Sequence, residues 1–104
     1  MELEFDNRNL LEFYTEGQSR KYKGLSSQVL KKFVMCIDTL RAANNIYDLW
    51  KSKSLRFEKL QGFKDRFSVR LDRKWRLEFT IDFEDVQKTR GTVFIKELSS
   101  HYGD

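Results

Sequence analysis

Proline is absent from this chain of 104 residues, cysteine and histidine occur once each, and glycine only five times. The single cysteine, Cys36, excludes a disulfide framework and any cysteine-based metal site within one chain. It lies in the apolar run Phe33–Ile37, where it reads as a small buried hydrophobe rather than a nucleophile. That run is the longest clearly apolar one, and it is far too short to span a bilayer. The N-terminus lacks the layout of a secretory signal. These absences predict a soluble protein in a reducing, cytoplasmic setting, with no membrane partner, cofactor or metal. No repeat, low-complexity block or linker divides the chain, so residues 1–104 read as a single domain.

Hydrophobic residues make up 39% and aromatics 14%, mostly Phe, which is enough for one core without staples. The net charge is +4, from 20 Lys and Arg against 16 Asp and Glu. An ordinary solvated surface accounts for that excess. So does a polyanionic partner, because cations that neutralise phosphates release counterions and drive binding. The placement of the charges has to decide.

The strongest pattern lies between Phe57 and Ile81. Apolar residues at Phe67, Val69 and Leu71, and again at Trp75, Leu77, Phe79 and Ile81, alternate with polar ones. Period two over consecutive runs marks half-buried strands, and Asp72-Arg73-Lys74 between them is a short polar hairpin connection. The seven apolar residues are expected on one buried face, with Ser68, Arg70, Arg76 and Glu78 on the other. That second face carries two guanidinium groups side by side.

Around this ribbon, Leu3 and Phe5 alternate with acids as a first short strand. Asn7 or Asn9 can cap a helix with the stripe Leu10, Leu11, Phe13 and Tyr14, and Gly17 can end it. Arg20, Lys21 and Lys23 then flank Tyr22, as either a solvated linker or a loop that touches phosphate or a partner. Ser26 or Ser27 can cap the next helix, roughly Ser27–Ala43, whose Val29, Leu30, Phe33, Val34, Ile37 and Leu40 recur at helical spacing. Asn44-Asn45 breaks it, and Ile46–Trp50 has no clear period, as in a packed turn or partial helix. Phe57–Leu60 is a further strand. Val93–Leu98 is the last, with Val93 and Ile95 on one side and Phe94, Lys96 and Leu98 on the other. The order predicts an α+β domain with two N-terminal helices packed on one face of a mostly antiparallel four- to five-stranded sheet.

At Phe57-Glu58-Lys59-Leu60-Gln61-Gly62, Phe67-Ser68-Val69-Arg70 and Lys74-Trp75-Arg76-Leu77 the chain resembles the HigB-type toxins of the RelE/ParE superfamily. That family shows a strand ending in Leu-Lys-Gly, a Tyr/Trp-Ser-Ile-Arg strand, then Asn/Gln-Trp-Arg-Ile, and a terminal Tyr-His or His-Tyr. Thr15 to Tyr22 is similar to its Gly-x-Ser/Thr-Arg-Arg/Lys-Trp segment. The resemblance runs nearly end to end, and its specificity lies in the order and spacing of the pieces. It implies a toxin of a bacterial type II toxin–antitoxin pair, an endoribonuclease that enters the ribosomal decoding site and cuts mRNA there. It also implies a HigA-like helix-turn-helix antitoxin as partner, with operator DNA reached only through that antitoxin.

Metal-free RNA cleavage needs a group to take the 2′-hydroxyl proton, one to protonate the leaving 5′-oxygen, and cations for the charge that builds on phosphorus. By the resemblance, Arg76 faces the scissile phosphate and the terminal His101 sits at the active site. On residues alone, Arg76 also reads as a surface arginine paired with Glu78 or a cross-strand acid, and His101 reads first as an exposed tail histidine without a role, an order that the resemblance reverses. The family's usual lysine is Gln61 here, which cannot act as a cationic acid. Lys59 can substitute for it, as can Lys64 or Arg66. Ser99 and Ser100 stand where some members carry Asp-Tyr, and a shifted alignment matches Glu97 to that acid. The catalytic candidates are thus Arg76, His101 and Lys59, with Arg70, Lys74, Gln61, Arg66 and Tyr102 along the RNA path. The Gln61 departure keeps open a second reading, a non-catalytic homologue that serves as antitoxin partner and operon co-repressor. A third, the ParE-like branch that acts on DNA gyrase, is disfavoured by the Trp-Arg pair and the terminal histidine.

Overall fold

The computed structural model describes residues 1–100. Asn7 starts helix α1 (Arg8–Glu16): its Oδ1 accepts from the Leu10 amide at 3.2 Å. Gly17 stops the helix in the left-handed region, φ 75°, where its amide reaches the Phe13 carbonyl. Ser26 caps α2 (Ser27–Ala42) through the Val29 amide at 3.2 Å. Asn45 caps α3 (Ile46–Lys51), accepting from the amides of Tyr47 and Asp48. A four-residue strand β1 (Glu2–Phe5) precedes the helices, and β2 (Glu58–Lys59), β3 (Arg66–Arg70), β4 (Trp75–Phe83) and β5 (Gly91–Ser100) follow them. Short 3-10 turns cover Arg20–Tyr22 and Lys53–Leu55.

The five strands form one sheet in the order β1-β5-β4-β3-β2, and only the β1–β5 pair is parallel. Apolar side chains of α1 and α2, such as Leu10, Phe13, Phe33 and Ile37, share one core with Phe67, Val69, Leu77, Phe79, Ile81, Val93 and Ile95. At one end Phe57 stacks on Phe67 and Phe79, ring centroids 5.2 and 6.1 Å apart. The α+β architecture with helices on one sheet face is the one the alternation predicted, and the sheet reaches five strands.

Three details differ from expectation. Ile46–Lys51 is a full helical segment, because the Asn45 cap and the burial of Leu49 supply what periodicity did not show. The strand expected over Phe57–Leu60 pairs only at Glu58 and Lys59. Leu98 stands with Val93 and Ile95, not with Phe94. Leu77 opposes Leu98 and Glu78 opposes Glu97, yet Phe79 opposes Ile95, so Lys96 is an extra residue in β5. Such a bulge shifts the alternation by one and turns every later side chain to the other face. Among the described residues no helix is long and apolar enough to cross a membrane.

Candidate functional site

Directly opposed residues of an antiparallel pair share a face. The β3–β4 register therefore places Arg66, Ser68 and Arg70 beside Thr80, Glu78 and Arg76, away from the core. The bulge at Lys96 brings Glu97 and Ser99 of β5 to that same face, opposite Glu78 and Arg76. The face is not bare. Ser68 is 2% exposed and Glu78 only 6%.

Glu78 is the hub. Its Oε1 accepts from Arg66 Nε at 2.8 Å, and its Oε2 accepts from the Ser99 hydroxyl at 2.5 Å. Arg76 Nε donates to Ser99 Oγ at 3.0 Å and lies 3.6 Å from Glu78 Oε2. Arg66 also reaches Glu97 through Nη2 at 3.1 Å, and its guanidinium lies 5.2 Å over the Phe63 ring. A buried carboxylate is costly to desolvate unless its lone pairs are matched by donors, and here two guanidinium groups and a hydroxyl supply the match.

Arg66, read as a residue of the RNA path, is thus engaged with two carboxylates and is mostly buried. Arg76 differs. Its Nε edge is held by Ser99 and Glu78, while its Nη groups have no hydrogen-bond partner among the described residues. Arg70 directly opposes Arg76 and is exposed. Like charges at opposed positions of a sheet repel, and an anion between them would relieve the repulsion. A guanidinium presenting its Nη edge matches the paired oxygens of a phosphate.

Lys74 is exposed at the hairpin, its ammonium 5.2 Å over the Trp75 ring, with Asp72 Oδ1 accepting from the amides of Lys74 and Trp75. The 3-10 turn carrying Lys21 comes close to this tip. Lys21, Tyr22, Lys74, Trp75, Lys96 and Glu97 help line a groove of about 530 Å3. The Tyr22 ring packs against Phe13, and burial raises its hydroxyl pKa. Lys59 is elsewhere: it opposes Phe67, so it stands on the core side of the sheet at the exposed β2 edge, while Glu58 takes the side of Ser68. Gln61 is exposed in the turn before Gly62. His101 and Tyr102 lie outside the described residues.

The structure therefore brings Arg66, Arg70 and Arg76 to one face, places Lys74 at its hairpin, and leaves Lys59 off it. Sequence reasoning gave Ser99 and Glu97 only as alignment alternatives and left Ser99 without a task. One trace was present: Val93 and Ile95 are followed by Leu98 rather than by an apolar residue at position 97, and that skipped beat marks a bulge.

The family model described as "RelE-like toxin of type II toxin-antitoxin system HigB" matches residues 3–90. That span holds Arg66, Arg70, Arg76 and Glu78 and ends just before β5. Among solved structures, the chain is similar to a "YoeB/ParE toxin from Agrobacterium tumefaciens", with a TM-score of 0.54 and 13% identity over 98% of this chain and 100% of that one. At that identity the likeness shows a shared fold. No curated protein matches the chain with significance.

Proposed function

Because the chain belongs to the RelE-like HigB toxins of type II toxin–antitoxin systems, we propose that it is a ribosome-dependent, metal-independent mRNA endoribonuclease that inhibits translation in the cytoplasm. A HigA-like helix-turn-helix antitoxin, bound to operator DNA, is its neutralising partner. The observation that carries the reading is the pair of opposed arginines, Arg70 and Arg76, with the Nε of Arg76 anchored and its Nη edge without a hydrogen-bond partner among the described residues. In this role Arg76 binds the scissile phosphate and stabilises the charge that grows there. Arg70 and Lys74 track the adjacent backbone. His101 is the proton-transfer group of choice, as the one side chain whose ordinary pKa lies near neutrality.

Induction of the chain followed by mapping of mRNA 5′ ends tests the proposal. Cuts within translated codons are expected, together with loss of toxicity in Arg76→Ala and in His101→Ala. Unaltered mRNA and translation after induction would overturn it.

A second reading has its own support. Gln61 replaces the family's lysine, and Lys59, the nearest substitute, stands on the face opposite Arg76. A homologue without that cationic acid would serve as antitoxin partner and operon co-repressor alone. Free toxin harmless to cells, with an antitoxin complex that still binds operator DNA, is the outcome expected of it.

A further inference from the structure

We propose that Ser99, backed by Glu78, is a positioning residue that sets the plane of the Arg76 guanidinium for phosphate. The inference deepens the cleavage reading and rests on it for its catalytic consequence.

A serine hydroxyl has one proton to give and two lone pairs to receive with. Ser99 gives its proton to Glu78 Oε2 and accepts from Arg76 Nε. The carboxylate thereby fixes the rotation of the hydroxyl, and the hydroxyl fixes the Nε edge of the arginine. Glu78 is itself immobilised by Arg66 Nε on its other oxygen. The guanidinium is planar, so anchoring Nε orients both Nη groups together. The Lys96 bulge is the reason Ser99 is within reach, since without the extra residue position 99 would face the core. A free arginine would pay rotamer entropy each time it engaged phosphate, and this one arrives already oriented.

The test is single-turnover cleavage of mRNA on programmed ribosomes. Ser99→Ala is expected to lower the maximal rate about tenfold with KM little changed, and Ser99→Thr, which keeps the hydroxyl, to recover most of the loss. In an Arg76→Lys background, which has no Nε to anchor, Ser99→Ala should add nothing. A full rate in Ser99→Ala, equal losses in Ser99→Ala and Ser99→Thr, or an additive loss on Arg76→Lys would each overturn the positioning role.

The geometry has its own readout, which stands even if the chain cuts no RNA. In NMR spectra the Arg76 Nε–H should appear as a distinct signal protected from solvent exchange. It should lose that protection in Ser99→Ala and shift on titration with inorganic phosphate. An Arg76 signal identical in the two proteins would refute the proposal, and failure of wild-type cleavage alone would refute only the function.

Discussion

Glu78→Ala is the most informative single change on this molecule. It deletes a carboxylate whose side chain is 7% exposed, while leaving Arg66 at 17% and Arg76 at 27% exposure on the same face. Removing one partner of a buried ion pair costs about 3–5 kcal/mol, because the remaining charge stays desolvated. Arg66 keeps a second partner in Glu97, itself 52% exposed, so the lower end applies and the expected loss is about 3 kcal/mol. Glu78→Gln retains the volume and one acceptor, and should lose about 1–2 kcal/mol. Glu97→Ala breaks only the exposed pair and should cost less than about 1 kcal/mol. The measurement is urea unfolding at neutral pH, with the slope unchanged and only the midpoint moving. A domain of this size has about 5–15 kcal/mol in total, so a 3 kcal/mol change is well resolved. If Glu78→Ala shifted stability by less than about 0.5 kcal/mol, or by no more than Glu97→Ala, the carboxylate would not be the anchor of this face.

Asp85 closes the β4–β5 turn, accepting from the Thr89 hydroxyl and from the amides of Thr89 and Arg90. These bonds, the Thr89 hydroxyl first, hold its carboxyl at about 2 against an ordinary 3.8. Since the folded value is depressed, its contribution to stability is complete above pH 3.8 and is lost as pH falls toward 2; Thr89→Val should raise the Asp85 pKa in a carboxyl NMR titration, and an unmoved titration would refute the link. Gly91 opposes Phe83, and a Cβ there would meet the Asp82 carbonyl oxygen at 2.0 Å; Gly91→Ala should lose about 3 kcal/mol in thermal unfolding, whereas Gly24→Ala, with nothing within 4 Å, should be near neutral. Burial pushes the Cys36 thiol up to about 11 from 9.0, so its contribution holds below pH 9 and is lost as pH rises toward 11. A thiol reagent at pH 8 should label Cys36 only in denaturant, and rapid labelling of the folded chain would contradict its burial.

What was legible in the residues is what period and capping encode. Two helices, the buried alternation from Phe67 to Ile81 and the shared face of Arg70 and Arg76 all follow from local spacing. Trp75 alone of that apolar set is half-buried, because it closes the hairpin end of the ribbon. Glu78, two residues along the same strand, was legible as a partner of Arg76, but Ser99 and Glu97 were hidden for a physical reason. They depend on which residue of β5 opposes which residue of β4, and one extra residue at Lys96 inverts the answer. Strict alternation puts Glu97 and Ser99 against the core and Leu98 among the charges, so the site could not be assembled by counting in twos. The family match is blind to the same feature, since it ends at residue 90.

The bulge is held from the other end of the chain. Asn7 accepts from the Leu10 amide with Oδ1 and donates with Nδ2 to the Lys96 carbonyl at 2.9 Å. The Asp6 amide reaches the Ile95 carbonyl at 2.9 Å, and the Lys96 ammonium meets the Asp6 carboxylate at 2.5 Å. An extra residue in a strand leaves backbone groups without their ladder partners, and unpaired carbonyls are costly once buried. Here the Asp6–Ile95 bond continues the β1–β5 ladder, and the Asn7 side chain supplies a donor to the carbonyl of the extra residue. One asparagine thus starts the first helix and stabilises the irregularity that turns Ser99 toward Arg76. The register of the last strand, and with it the orientation of Arg76, is tied to a residue far from it in sequence.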